Sequence, residues 1–317
     1  MTDWIVTPRD AGKRLDVFLK EKLSARSRAF LQSRIKEGAA HVSGARKHAA
    51  ARLRAGERVT FIGGGQRRMI LTPQADVPVA IIAERGGVIA INKPAGIAAH
   101  PATLEGVGTV ANWVASRIPG ARSVGGDPRR PGIVHRLDRY TSGVMVIART
   151  QGIFEHLKAC FAARRVAKEY IALVEGTPQD PRGVVEGLVV RSPKRHDQRR
   201  LMTLPLASGA RSSRSRYTIE HAGKTVSMVR FFPETGRTHQ IRLHAKALGT
   251  PVLGDRAYGA RFTLPQELSH RFYLHAKRIA FPLPDGTEAV FSAPLPPEFA
   301  QAWKWFEGAG HKNAAVL

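Results

Sequence analysis

Acidic residues are scarce in this chain. Twenty-five Asp and Glu face 50 Lys and Arg over 317 residues, which leaves a formal net charge of +25. An enzyme of small anions has no need of such an excess. It points to a polyanionic partner, nucleic acid before membrane. Cysteine is nearly absent: Cys160 stands alone, which excludes an intrachain disulfide and a Cys-rich zinc site. Long apolar runs are missing too. The longest, such as Val77–Ala83 and Val144–Ala148, have the length of a strand and not of a bilayer span. The first residues, Met1-Thr2-Asp3-Trp4-Ile5-Val6, lack the basic-then-apolar order of a signal peptide. The expectation is a soluble, cytoplasmic protein. With 43% hydrophobic residues and 13 Phe, 5 Tyr and 4 Trp, the chain has the means to build a core, so wholesale disorder is excluded.

The positive charge is unevenly spread. Residues 9–68 carry sixteen Lys and Arg against five acids, so under a fifth of the chain holds +11 of the +25. Within this segment Leu15, Phe18, Leu19 and Leu23 recur at helical spacing. Ser24 and Ser27 offer caps for a second helix with Phe30, Leu31 and Ile35 on one face, and Gly38 is a plausible stop. His41-Val42-Ser43-Gly44 reads as a strand and turn, Arg58–Ile62 as another strand, and Gly63-Gly64-Gly65 as a hinge. This reads as an RNA-binding arm in preference to a basic two-helix hairpin with solvated charges.

From about residue 72 the pattern changes to short β-rich runs separated by Gly and Pro. Val77–Ala83, Val88–Asn92, Val144–Arg149, Tyr170–Val174 and Val226–Phe232 read as strands; Ile153–Arg164 and Gln240–Leu248 have helical spacing. The mixture predicts an α+β domain over residues 73–306 around a central sheet, followed by a flexible tail at 307–317. Arg191–Arg216 reads as a basic loop, with Lys194, Arg195, Arg199, Arg200, Arg211, Arg214 and Arg216 open to RNA or to solvent.

Four clusters carry candidate chemistry. Asn92-Lys93-Pro94-Ala95-Gly96 ends a strand in a turn, where Lys93 either holds a phosphate or orders the loop. His135-Arg136-Leu137-Asp138-Arg139-Tyr140-Thr141-Ser142-Gly143 sets a carboxylate among cations just before an apolar strand, a setting that suits nucleophilic or general-base work. The same tripeptide at Arg14-Leu15-Asp16 lies on an amphipathic helix and reads as structural. Lys168-Glu169-Tyr170 opens a strand; Tyr170 is either a core aromatic or a face on which a base stacks. Gly236-Arg237-Thr238-His239-Gln240-Ile241-Arg242-Leu243-His244 continues through Gly254-Asp255 and Tyr258-Gly259. His239 and His244 lack the acid and spacing of a zinc protease, and Arg242 could pair with a carboxylate. No phosphate-binding Gly-rich Lys-Ser/Thr loop occurs in the sequence.

These four clusters, in this order from Val77 to Pro297, resemble the RluA-like family of RNA pseudouridine synthases. The segment at 9–68, through Arg14-Leu15-Asp16, Ser27-Arg28, Ile35-Lys36-Glu37-Gly38, Val42-Ser43-Gly44 and Gly56-Glu57-Arg58-Val59, resembles the small RNA-binding module of ribosomal protein S-four. The resemblance implies a catalytic domain with a central mixed, mainly antiparallel sheet and an isomerase that converts uridine to pseudouridine, with no cofactor and no metal. It implies that Asp138 is the catalytic aspartate, Tyr170 the tyrosine packed on the target uracil, and Arg242 the basic residue that pairs with the aspartate. Arg136 falls where a side chain can fill the place of the flipped nucleotide. Arg139, Lys93, Arg14, Arg26, Arg28, Lys36, Arg46 and Lys47 are candidate RNA contacts. Tyr140 departs from the acid common at that position, a change expected to leave catalysis in place. The expected partner is structured RNA, large-subunit ribosomal RNA first and transfer RNA second, with a monomer as the default. A non-catalytic ribosome-assembly factor on the same core, or a DNA-binding protein, are the competing readings.

Overall fold

A computed structural model of the chain describes residues 1–23, 28–62, 71–101, 106–192, 198–202 and 210–308. The expected hinge at 63–65, the caps Ser24 and Ser27, Arg26, Lys194 and Arg195, and most of the expected tail lie outside the described residues. The chain divides into two units, Met1–Met69 and Ile70–Leu317.

In the first unit, β1 (Thr2–Ile5), β2 (Ala40–Val42), β3 (Ala45–Arg46) and β4 (Arg58–Phe61) form a sheet of order β1-β4-β2-β3, with α1 (Leu15–Lys22) and α2 (Arg28–Lys36). β1 precedes the segment marked out by charge, and its acid and aromatic residues gave no sign of pairing with β4. Leu15, Phe18 and Leu19 of α1 meet Leu31 and Ile35 of α2 and Val59 and Phe61 of β4 in one core. Asp16 is fully buried beneath them and accepts hydrogen bonds from Arg14, Arg28 and Gln32, so it ties the two helices together.

The second unit is built on a ten-stranded sheet. Its strands are β5 (Ala80–Arg85), β6 (Val88–Lys93), β7 (Ser142–Ala148), β8 (Ala167–Glu175), β9 (Arg182–Arg191), β10 (Arg199–Met202), β11 (Arg211–Ala222), β12 (Val226–Pro233), β13 (Leu274–Pro282) and β14 (Glu288–Ser292). The order is β10-β9-β11-β12-β8-β13-β7-β6-β5, with β14 on β13. Every pairing is antiparallel except β13 with β7. The helices are α3 (Val110–Arg117), α4 (Gln151–Ala162), α5 (Gln240–Ala247) and α6 (Pro297–Glu307). Among the described residues no helix is long and apolar enough to cross a membrane.

Two local expectations need correction. The strand expected at Val77–Ala83 begins only at Ala80, because Pro78 has no N–H to give a ladder. The loop expected across Arg191–Arg216 contains β10 and the start of β11. At the start of β11 the residues facing the core are Ser213 and Ser215, both buried, while Arg214 and Arg216 point outward; Tyr217, also buried, continues the inner face just beyond. The alternation at this start is polar on both faces, so hydropathy hides it. Arg214 is paired with Glu186 and Glu234, and Arg216 with Glu234.

β7 is buried along its whole length, and its parallel contact with β13 depends on Gly143. Its φ is +117°, and a Cβ there would lie 2.2 Å from the Ala276 carbonyl oxygen. Ala276 pairs in turn with Tyr170 on β8. The start of β7 and the Tyr170 end of β8 therefore lie at one level of the sheet, two strands apart.

Candidate active site

Leu137 is anchored in the core, and the Thr141 N–H donates to the Asp138 carbonyl at 3.1 Å, which closes a turn just before β7. The turn is braced from β6. Lys93 is fully buried and its ammonium donates to the carbonyls of Pro94, Ile97 and Arg139 at 2.8, 2.8 and 3.1 Å. Burial pushes its pKa down to about 7, against the pull of Asp138. Lys93 is thus corrected from an RNA contact to a loop brace, because none of its surface is open to a phosphate. Arg139 adds a second tie, from Nε to the Gly96 carbonyl at 2.8 Å, and remains exposed.

The facing wall is the segment that enters α5. Gln240 is buried and all its polar atoms are used: its amide oxygen accepts from Thr235 Oγ1 and the Arg237 N–H, and its nitrogen donates to the Arg214 carbonyl and Ser215 Oγ. This holds residues 235–240 in one conformation. In the first turn of α5, Arg242 sits between two aromatic faces, with its guanidinium carbon 4.6 Å from the Tyr258 ring centre and 4.4 Å from that of Phe272. Asp255, 2% exposed, accepts from its Nε and Nη2 at 2.6 and 2.8 Å, and Nη1 reaches Asp138 Oδ2 at 3.4 Å. Burial opposes the Arg242 charge, but Asp255 and then Asp138 outweigh it and raise its pKa.

Between these walls lies a cleft of about 500 Å³ lined by His135, Asp138, Lys168, Tyr170, His239 and Arg242 among others. That volume is in the range of small-molecule and nucleotide pockets. Tyr170 packs against the apolar clusters on both sides of it. Burial first, and the Asp138 charge second, push its hydroxyl well above the ordinary tyrosine value, so it remains neutral. Lys168, on the same face of β8, donates to the Thr235 carbonyl at 3.0 Å, and burial next to Arg237 pushes it down to about 8. His135 Nε2 accepts the Val146 N–H at 3.0 Å, which makes it a support of β7.

Asp138, Tyr170 and Arg242 are therefore brought together. Arg136 is exposed at the rim, 3.4 Å from His100 Nε2. Tyr140 is exposed, with its ring edge to Phe272. In the N-terminal unit Arg14 and Arg28 give their guanidinium groups to Asp16, while Lys36, Arg46 and Lys47 are exposed. Asp255, Tyr258, Gln240 and Lys168 have no role in the sequence reading. The first two lie inside the block that ends at Gly259, but spacing alone does not reveal that they grip Arg242.

Residues 87–247 match the family described as RNA pseudouridylate synthase. An uncharacterized RNA pseudouridine synthase of Aquifex aeolicus is 33% identical over 303 residues, which is 93% of this chain and 94% of that protein. The ribosomal large subunit pseudouridine synthase D of Xanthomonas campestris is 32% identical over 303 residues, 92% of this chain and 88% of that one. Among solved structures, human RNA pseudouridylate synthase domain containing 4 superimposes with a TM-score of 0.55 at 26% identity, covering 70% of this chain and 91% of that one. The α+β fold, the cleft and these likenesses agree, and the chain belongs to the RNA pseudouridylate synthase family, as an isomerase acting on RNA.

Proposed function

We propose that Asp138 is the catalytic aspartate of a synthase whose substrate is large-subunit ribosomal RNA. One observation carries the assignment of the site: Asp138, Tyr170 and Arg242, from three separate stretches of chain, line a single cleft. The target uridine must leave its stack to enter, at a cost of a few kcal/mol, approximately, offset by phosphate contacts to a chain of net charge +25. Tyr170 stacks on the extruded uracil. Asp138 promotes cleavage of the bond between the sugar and ring nitrogen 1. The uracil, retained in the cleft, rotates and rejoins through carbon 5; the proton on that carbon leaves and ring nitrogen 1, freed from the sugar, ends protonated, so no atom is gained or lost. Arg242 holds the aspartate in place, and Arg136 at the rim fills the gap left in the RNA. The reaction is an isomerisation, so its balance requires no oxidant and no ATP.

The ribosomal assignment is supported by the names of relatives, the large-subunit synthases D of Xanthomonas campestris and Zymomonas mobilis, the latter 34% identical over 237 residues. It is also supported by the basic unit at the N-terminus, which we assign as an S-four-type RNA arm. The test is to incubate the protein with unmodified large-subunit, small-subunit and transfer RNA and map pseudouridine in each. Formation at defined positions of the large-subunit RNA is expected. Formation in transfer RNA alone would overturn the ribosomal assignment.

A further inference from the structure

His239 is the residue before α5, and it is held with φ +60°, in the left-handed region that a non-glycine residue seldom adopts. Such a conformation persists only where its surroundings impose it. The surroundings here are specific. His239 Nδ1 lies 2.7 Å from the Tyr258 hydroxyl, and that hydroxyl accepts the Arg199 N–H at 2.9 Å. On its other side, His239 Nε2 lies 3.8 Å from Asp138 Oδ2. This is the same oxygen that Arg242 Nη1 approaches at 3.4 Å. Among the described residues, Asp138 Oδ1 accepts no hydrogen bond.

The direction of the chain follows from counting donors. The Tyr258 oxygen already accepts from a backbone N–H, and among the described residues its only other partner is His239. Its single hydrogen is satisfied by donation to Nδ1. Nδ1 then carries the lone pair and Nε2 carries the proton. Burial holds the imidazole below its ordinary pKa, against the pull of Asp138, so the ring is neutral near pH 7.

We propose that His239, locked by Tyr258 in its Nε2–H tautomer, is a positioning residue that steadies Asp138 Oδ2 together with Arg242 and so leaves Oδ1 as the reacting oxygen. The proposal rests on the assignment of Asp138 given above. A gap of 3.8 Å is too long for a hydrogen bond, and it closes when RNA fills the cleft, as contacts of this kind tighten on substrate binding. Tyr258 thereby serves two purposes: its ring faces the Arg242 guanidinium, and its hydroxyl orients the histidine.

Two readouts test this in the full-length protein. The first is the nitrogen NMR spectrum of histidine-labelled protein, with His239→Asn used to assign the signal, because Asn tolerates the left-handed backbone. The wild type should show a protonated Nε2 and a bare Nδ1, and Tyr258→Phe should populate both tautomers. A protonated Nδ1 in the wild type would overturn the proposal, and this result does not depend on activity. The second is turnover, measured by tritium release from RNA labelled at carbon 5 of uridine. Tyr258→Phe keeps the ring over Arg242, so it should lower kcat about 10-fold with KM nearly unchanged, the cost of one hydrogen bond in a charged site. His239→Ala should lose more than His239→Asn, which keeps an N–H donor. Unchanged kcat in Tyr258→Phe and His239→Ala, or a rise in KM alone, would overturn the proposal. A wild type that released no tritium would count against the isomerase site itself, and the tautomer measurement would still decide the hydrogen-bond chain.

Discussion

Arg242 gives its two-point grip to Asp255 and only one N–H to Asp138. The distances are 2.6 and 2.8 Å on the first partner and 3.4 Å on the second. Asp255 thus fixes the plane of the guanidinium, and the aromatic rings of Tyr258 and Phe272 fix its height. What remains for Asp138 is a cation whose position is set by other residues. Such an arrangement would cost no reorganisation in the role proposed for Asp138.

Asp255→Asn should therefore be far more damaging than its distance from the substrate suggests. Breaking a buried pair leaves Arg242 with only its longer contact to Asp138 as counter-charge, at a cost of up to about 3–5 kcal/mol. The urea midpoint should fall accordingly, and turnover should fall with it even under conditions where the variant is folded. A variant with unchanged midpoint would show that the two rings and Asp138 hold Arg242 without Asp255.

The buried histidines give the fold a defined acid limit. His244 and His275 are fully buried, and burial pushes both down to about 4 from an ordinary 6.5. Between these values the unfolded chain binds protons that the folded chain does not. Stability should then fall as pH drops from about 6.5 towards 4, by up to about 1.4 kcal/mol per pH unit for each histidine. Above 6.5 these two groups contribute no slope. Urea midpoints across pH 4 to 8 check this, and His275→Gln should flatten the acid limb. A flat profile in the wild type would contradict the burial argument.

Much of the candidate site was legible because its chemistry sits in contiguous words. Asp138 among His135, Arg136 and Arg139, and Arg242 after Gly236-Arg237-Thr238-His239, can be picked out by residue type before any fold is known. Several of the strands and the α+β class follow from runs such as Val144–Ala148, whose apolar continuity reflects burial on both faces. The rest depends on distance in space. Lys93 reads as either a phosphate ligand or a loop brace until the structure closes three carbonyls around it. Asp255 reads as one acid among 25 until α5 brings Arg242 against it. The start of β11 is invisible to hydropathy because Ser213 and Ser215 fill its inner face there, before Tyr217.

Tyr140 offers a test of what lies outside the chemistry. Its ring is 39% exposed, it meets Phe272 only edge-on, and the Arg139 guanidinium lies 5.7 Å from its centre. Tyr140→Asp should keep tritium release on a short RNA within about threefold of the wild type. Loss of release to background would place the phenol ring in the reaction itself.

The N-terminal unit should act through charge. Removing residues 1–69 deletes a segment whose central part carries +11, with its own core and sheet. Affinity for long structured RNA should fall, and the slope of log affinity against log salt should become shallower, because fewer counterions are released. An unchanged slope would show that the unit is not an RNA arm.

The role proposed for Asp138 is decided by tritium release from ribosomal RNA labelled at carbon 5 of uridine, with Asp138→Asn beside the wild type. Release by the wild type, release at background for Asp138→Asn, and equal RNA binding by both are expected, since the substitution removes a charge and leaves the cleft its shape. Release by Asp138→Asn near the wild-type rate would show that another group performs the chemistry.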